Sequence, residues 1–181
     1  MTRLVVGPAS DLTDAISERL GLYVTRARLD DAPETAAADV VVIDVSEDSD
    51  SGSLDRLAAA VGWCEAAGRA MCERRDGVIV VVGTTDAYHS QAGGAMRSTV
   101  QSGAFGMVRG YGIEWAPFGV RVVGVAYSRA RGGGERTPPI GRHPTTAEVA
   151  QAVEFMAGAD ASYVVAETMR VDGGYVAYQM F

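Results

Sequence analysis

Several side chains that could exchange a proton with a substrate or bond to it fall in one stretch of this sequence. Thr84-Thr85-Asp86-Ala87-Tyr88-His89-Ser90 follows an apolar run, and Arg97 and Gln101 come shortly after it. Asp86, His89 and Ser90 supply a carboxylate, an imidazole and a hydroxyl. Near neighbours in a loop are not a nucleophile with an oriented base, so they read as loop residues. The other histidine, in Gly141-Arg142-His143-Pro144, reads the same way. Cys64 and Cys72 are too few for a disulfide framework or a metal cluster; they read as buried thiols, and no metal is expected.

Two absences constrain the chemistry further. All 16 basic residues are arginine, and the chain has no lysine and no asparagine. There is therefore no amine for a Schiff base, no lysine general acid and no ammonium to lower a tyrosine pKa. A net charge of −7 argues against a non-specific nucleic-acid partner, which needs a basic surface. No apolar run has the length of a membrane span, and Met1–Gly7 lacks the layout of a signal peptide, so a cytoplasmic location is expected.

The elements that must position these residues follow from hydropathy pattern. With 48% hydrophobic residues in 181, one domain with a substantial core is expected over 1–181. Leu4–Val6, Leu22–Thr25, Val40–Val45, Val78–Val82, Val120–Ala126 and Thr168–Val171 read as strands. The unbroken β-branched runs mark strands covered on both faces. Leu12–Leu20, Leu54–Arg75, Met96–Trp115 and Thr145–Ala157 read as helices. Pro117 and Gly119 close the third of these, and Thr146 with Glu148 suits the start of the fourth. Residues 30–39 read as an acidic stretch in which Pro33 can start a helical turn. Residues 46–53 and 129–139 read as polar, glycine-bearing loops. Alternating strands and helices predict a doubly wound parallel sheet, an α/β Rossmann-like fold of about six strands.

Several segments, in order and in spacing, resemble the short-chain dehydrogenase/reductase family. Gly77–Thr84 resembles the strand that ends at the family's catalytic serine. Gly106, Arg109, Glu114-Trp115-Ala116-Pro117 and Gly119–Val122 resemble the segment after its Tyr-x-x-x-Lys motif. Pro139–Arg142, Ala147–Ala150, Phe155-Met156, Ala161–Val165 and Val171–Tyr175 resemble its closing third. In this register the serine falls on Thr84, the tyrosine on Arg97 and the lysine on Gln101, and the family's active-site asparagine has no counterpart. The resemblance implies that the tyrosine passes a proton while hydride moves to or from nicotinamide, with the lysine making that tyrosine acidic. Arginine stays protonated and cannot replace the phenol. The expectation is that no catalytic residue set is intact.

Val5–Thr13 resembles the family's glycine-rich phosphate turn. Gly7 is kept, while Asp11 and Thr13 stand where later glycines let a pyrophosphate approach. Asp11 would set a negative charge where phosphates lie, although it reads more simply as a helix-start residue favoured by the dipole, and NAD(P) binding is expected to be lost, leaving no cofactor. Arg26 and Arg28 lie where an adenosine ribose contact belongs, but read as solvated. A crossover needs about a dozen residues, so residues 29–39 carry one connection, and the sheet is expected to be shorter by one βα repeat. The stretch 128–138 is short for a substrate lid.

What remains is packing surface. Val100, Ala104, Met107, Val108, Tyr111 and Trp115 follow helical spacing and should cover the sheet. Gly103, Gly106 and Gly110 form a second stripe, implying close approach of another helix. In the family this helix lies at a subunit contact, and Trp115, Asp172, Gly173, Gly174, Tyr175 and the apolar tail to Phe181 are likewise expected at interfaces. The leading expectation is a non-catalytic pseudo-dehydrogenase subunit. It would form a dimer or tetramer with itself or a hetero-oligomer with an intact family member, stabilising or shaping the active enzyme. The alternatives are a lyase, isomerase or cyclase using Thr84, Arg97 and Tyr88, and a residual NAD(P)-dependent oxidoreductase.

Overall fold

The structure is a computed structural model. It describes residues 1–21, 24–29, 31, 38–46, 53–130 and 137–179, with the side chains of 24–26, 53 and 179 excepted. The side chain of Arg26, the turn at Pro33, the glycine run 132–134 and the tail residues Met180 and Phe181 lie outside this set.

In chain order the elements are β1 (Arg3–Val6), α1 (Asp11–Leu20), β2 (Val24–Ala27), β3 (Val40–Asp44), α2 (Ser53–Arg74) and β4 (Gly77–Thr84). After these come α3 (Ala95–Trp115), β5 (Val120–Tyr127), α4 (Thr146–Ala157), β6 (Thr168–Val171) and the short α5 (Tyr175–Gln179). All six strands are parallel, in the order β2-β1-β3-β4-β5-β6. The six-stranded Rossmann-like sheet matches the expected fold. Strand β2 is displaced from the expected 22–25 to Val24–Ala27, because its pairing with β1 aligns Arg3 with Val24 and Val6 with Ala27.

Alternation along the β-branched strands builds two cores. Val41, Ile43, Ile79, Val81, Val120 and Val122 meet α2 and α3 through Trp63, Met71, Phe105, Val108 and Trp115. Val40, Val42, Val80, Val82, Val123 and Val125 meet α1 and α4 through Leu12, Ile16, Val149, Val153 and Met156. Each buried Val, Ile or Phe contributes about 1.5–3 kcal/mol of burial free energy. Tyr111, expected on the sheet-facing stripe, is only half-buried; it stacks on Trp115 at 4.3 Å between centroids and donates to Glu65 of α2 at 2.8 Å.

Within the chain, close packing requires glycine at positions 68 and 112 as well as at Gly103 of the expected stripe. A side chain at Gly68 would run into the Trp115 ring, and one at Gly112 would come 2.7 Å from the Ala166 Cα. Gly103 does face another helix, with Leu57 of α2 2.7 Å from an added Cβ. At Gly110 nothing lies within 4 Å, and at Gly106 only the tip of Arg109, at 3.9 Å. Gly119, with φ 80°, makes the left-handed turn from α3 into β5.

Winding runs outward in both directions from β1, so the chain reverses between β1 and β3. In an open α/β sheet, ligands bind outside the carboxyl ends of the strands at such a switch point. The residues singled out for chemistry lie on that rim.

Candidate functional site

At the carboxyl ends of β3 and β4 the hydrogen-bond ladder is interrupted by a side chain. Val45 N–H donates to the Val82 carbonyl at 2.9 Å, which makes Thr84 N–H and the Val45 carbonyl the next rung. The Gln101 carboxamide occupies that rung. Its Oε1 accepts from Thr84 N–H at 2.8 Å, and its Nε2 donates to the Val45 carbonyl at 2.8 Å. Gln101 is 3% exposed, and a side chain at Gly83 would collide with its Oε1 and approach the Phe105 ring. A primary amide presents one acceptor and donors on the same planar group, so it can stand in for a peptide unit. A lysine, which only donates, would leave the buried Thr84 N–H without a partner.

Thr84 is held on its other side as well. Its hydroxyl donates to Asp86 Oδ2 at 2.6 Å, and Ser98 donates to the Asp86 carbonyl at 2.8 Å. Thr84 and Asp86 are both buried. Arg97 sits one helical turn before Gln101, half-buried near Gly94. The fold thus joins two of the three positions at which the resemblance places serine, tyrosine and lysine: the Thr84 backbone meets the Gln101 carboxamide, while Arg97 stands one helical turn earlier beside Gly94. Tyr88 is turned elsewhere: it stacks on Phe105 at 6.0 Å, with the Arg170 guanidinium 5.5 Å from its ring centroid.

A second polar group on this rim was missed in the sequence. Tyr127, last in β5, is the register partner of Thr84. Its phenol lies 2.9 Å from Ser46 Oγ, and Arg129 donates to the Ser46 carbonyl at 2.9 Å. Ser46 N–H donates in turn to Asp44 Oδ1 at 2.9 Å. Burial, and then the Asp44 charge, push the Tyr127 phenol above its ordinary pKa, while Ser46 and Arg129 pull it back. The signal was an aromatic two residues before an arginine at a strand end, which has no meaning until β3 and β5 are known to flank β4.

The histidines belong to a third group. His143 Nδ1 is 3.3 Å from the hydroxyl of the buried Ser128, and the rings of His89 and His143 lie 6.1 and 6.2 Å from that of Tyr175. Gln91 donates to the Tyr175 hydroxyl at 3.1 Å. Asp86, His89 and Ser90 form no triad: the Asp86 carboxylate is engaged by Thr84, and Ser90 is exposed. Asp172 caps α5, accepting from Gly174 N–H at 2.9 Å and Val176 N–H at 3.0 Å. Gly173 and Gly174 take positive φ against Ile140 and Pro139.

At the β1–α1 turn, the Ser10 hydroxyl accepts from Thr13 N–H at 3.2 Å and the Thr13 hydroxyl accepts from Ser10 N–H at 3.1 Å, a reciprocal cap. Thr13 is buried, with its hydroxyl 2.7 Å from the Pro8 carbonyl. Gly7 forms a tight cradle in which an added Cβ would come 2.9 Å from Asp44 Cβ. Asp11 is exposed on the first turn of α1. Its charge suits the positive end of the helix dipole there, as expected of a helix-start residue.

A doubly wound parallel sheet with a polar rim at its switch point defines the class of Rossmann-like α/β proteins. Residues 56–176 match the family described as Enoyl-(Acyl carrier protein) reductase. The 3-oxoacyl-[acyl-carrier-protein] reductase FabG of Vibrio cholerae is 32% identical over 118 residues, covering 59% of this chain and 48% of that protein. MabA, a 3-oxoacyl-[acyl-carrier-protein] reductase of Mycobacterium avium, is 31% identical over 130 residues, covering 65% and 51%. Cis-4-hydroxycyclohexanecarboxylate dehydrogenase of Sinomonas cyclohexanicum is 32% identical over 121 residues, covering 60% and 49%. The chain spans about half the length of these curated relatives. Among solved structures, a short chain dehydrogenase/reductase family protein superposes with TM-score 0.85 at 23% identity, covering 98% of this chain and 97% of that one. An oxidoreductase of the same family from Burkholderia thailandensis gives 0.82 at 20%, covering 97% and 92%.

The chain belongs to the short-chain dehydrogenase/reductase family, whose matched members are reductases and dehydrogenases. This membership overturns the expectation of no cofactor, because the family's oxidoreductases work with NAD(P). The cradle fits that correction: Gly7 is retained, and Asp11 is turned to solvent. Gly7 and the first turn of α1 are the residues that would hold a pyrophosphate, and the dinucleotide would supply hydride chemistry. No helix among the described residues is long and apolar enough to cross a membrane.

Proposed function

We propose that this chain is the non-catalytic subunit of a short-chain dehydrogenase/reductase assembly, joining itself or an intact family member and stabilising or shaping the active enzyme. The observation that carries this reading is the Gln101 carboxamide built into the rung between Thr84 and Val45. A position merely freed from selection for a lysine would tolerate many residues. This one holds a residue whose donor and acceptor both have buried backbone partners, and Gly83 makes room for it. In this reading the lysine position has passed from proton relay to sheet closure. With Arg97 at the tyrosine position, no phenol–ammonium pair is left there to protonate a carbonyl oxygen.

Assembly is supported by the outer surface of α2 and α3. Ile113 is 72% exposed, Leu54 54% and Met96 44%. Gly106 and Gly110 leave the surface of α3 low, beside a groove of about 280 Å³ lined by Val61, Met107, Gly110, Tyr111 and Glu114. Exposed apolar side chains around a shallow groove suit a helix of a second subunit. Co-expression of this chain with an intact dehydrogenase of the family, followed by size exclusion, tests the proposal. One co-migrating species, with the intact subunit more active or more stable in it than alone, is expected. Separate migration, this chain running as a monomer and the other enzyme fully active alone, would overturn it.

A further inference from the structure

The route from Tyr127 to Ser46 crosses a strand. Ser46 follows β3 and Tyr127 ends β5, and these two strands flank β4. Two strand spacings separate them, about 9–10 Å. The phenol covers that span at the level of Thr84, its register partner, to reach Ser46 Oγ at 2.9 Å. Arg129 makes the same crossing and donates to the Ser46 carbonyl at 2.9 Å. The ring packs partly against the apolar cluster under α1 and α4, so the crossing is made by a largely covered aromatic. Two side chains from one strand end are thus anchored on a single residue of the next strand but one.

We propose that Tyr127 and Arg129 form a strap over the carboxyl end of β4, which closes the far half of the switch-point crevice until a ligand swings the phenol aside. The ligand class follows from the geometry of the crevice. A dinucleotide with its phosphates at Gly7 lays one nucleoside toward β2 and the other across β3 and β4. The second half must occupy the space above Thr84 that the Tyr127 ring crosses. The strap therefore sets affinity for the second nucleoside and leaves the phosphate end unaffected. This inference does not rest on assembly with a partner.

Binding of NADPH and NADH to the isolated full chain and its variants tests it, read by dihydronicotinamide fluorescence with thermal melting to verify folding. If the strap is closed about nine-tenths of the time, its removal raises apparent affinity about tenfold. Tyr127→Ala is expected to bind at least one of the two dinucleotides tighter by that factor. Tyr127→Phe, which keeps the ring and loses the bond to Ser46, is expected to gain about two- to threefold by the same population argument. If Tyr127→Ala does not fold, Ser46→Ala with Arg129→Ala loosens the anchors and carries the Tyr127→Phe expectation. Equal or weaker binding by the folded variants overturns the strap, as does absence of binding by every variant at millimolar dinucleotide. Neither result bears on co-migration with an intact subunit, so failure here and failure of the assembly reading are told apart.

Discussion

The two ends of α3 meet the sheet in different ways. In the middle and at its C-terminal end, Ala104, Val108 and Trp115 fill space against β4, β5 and α2, and any apolar group of matching shape would serve. Near its N-terminal end, Gln101 makes two directional bonds to backbone groups of two strands, and Arg97 lies one turn earlier. One helix therefore carries a tolerant apolar contact and, two turns away, a demanding polar one. Chemistry was to be expected at the demanding end, and what stands there is closure of the sheet. The difference teaches that one buried polar side chain can complete a strand ladder that its apolar neighbours only cover.

The sharpest way to break this comparison is Gln101→Lys. It puts a cation in a buried position and strips Thr84 N–H of its acceptor, at a cost of about 3 kcal/mol, measured by urea denaturation. The double variant Arg97→Tyr/Gln101→Lys, which restores the family's residue types, is expected to gain no ketone reductase activity. A stability loss below about 1 kcal/mol would mean that the carboxamide is no more demanding than the apolar contacts.

The apolar end is tested through its glycines. Gly68→Ala drives a methyl into the Trp115 ring and is expected to cost about 1–3 kcal/mol. Gly110→Ala meets nothing within 4 Å and is expected to stabilise the isolated chain by about 0.5–1 kcal/mol, as alanine is the better helix former. If that surface docks a second helix, the same variant weakens assembly on size exclusion while raising the melting temperature.

A smaller effect separates the thiols. Burial pushes the buried Cys64 thiol up to about 12; burial also raises the Cys72 thiol, but that residue is only half-buried and open to reagent. At mildly alkaline pH, alkylation followed by peptide mapping should modify Cys72 well before Cys64. Equal rates would mean that α2 does not seal the core at Cys64.

The smallest effect lies at the α4 cap. Arg142 donates to both Glu148 oxygens at 2.7 Å, and with the Thr145 backbone and hydroxyl it holds the carboxyl down to about 2. A depressed carboxyl pKa contributes stability above its ordinary value near 4.5, and this is lost as pH falls through about 2. Arg142→Ala should move the Glu148 titration upward by NMR; an unmoved titration would assign the shift to the cap alone.

Much of this was legible in sequence because strand and helix periods are local. The β-branched runs at 40–45 and 78–82 placed β3 and β4 in the core, and the start of α4 was legible near Thr146 and Glu148, although the cap is Thr145. The need for glycine at position 68 was not legible, because what a glycine admits depends on a distant partner, here the Trp115 ring. Asp11 was legible as a helix-start residue, since the dipole favours a carboxylate in the first turn. The Gln101 rung and the Tyr127 strap join positions 56 and 81 residues apart, so no window of sequence contained them.

The central claim is that proton transfer has no donor at positions 97 and 101. The most direct measurement mixes the purified chain with NADPH and a short 3-ketoacyl ester and follows dihydronicotinamide absorbance at high protein concentration. Oxidation no faster than in buffer is predicted, with or without an amine additive. Sustained turnover by the isolated chain at ordinary enzymatic rates would contradict the account.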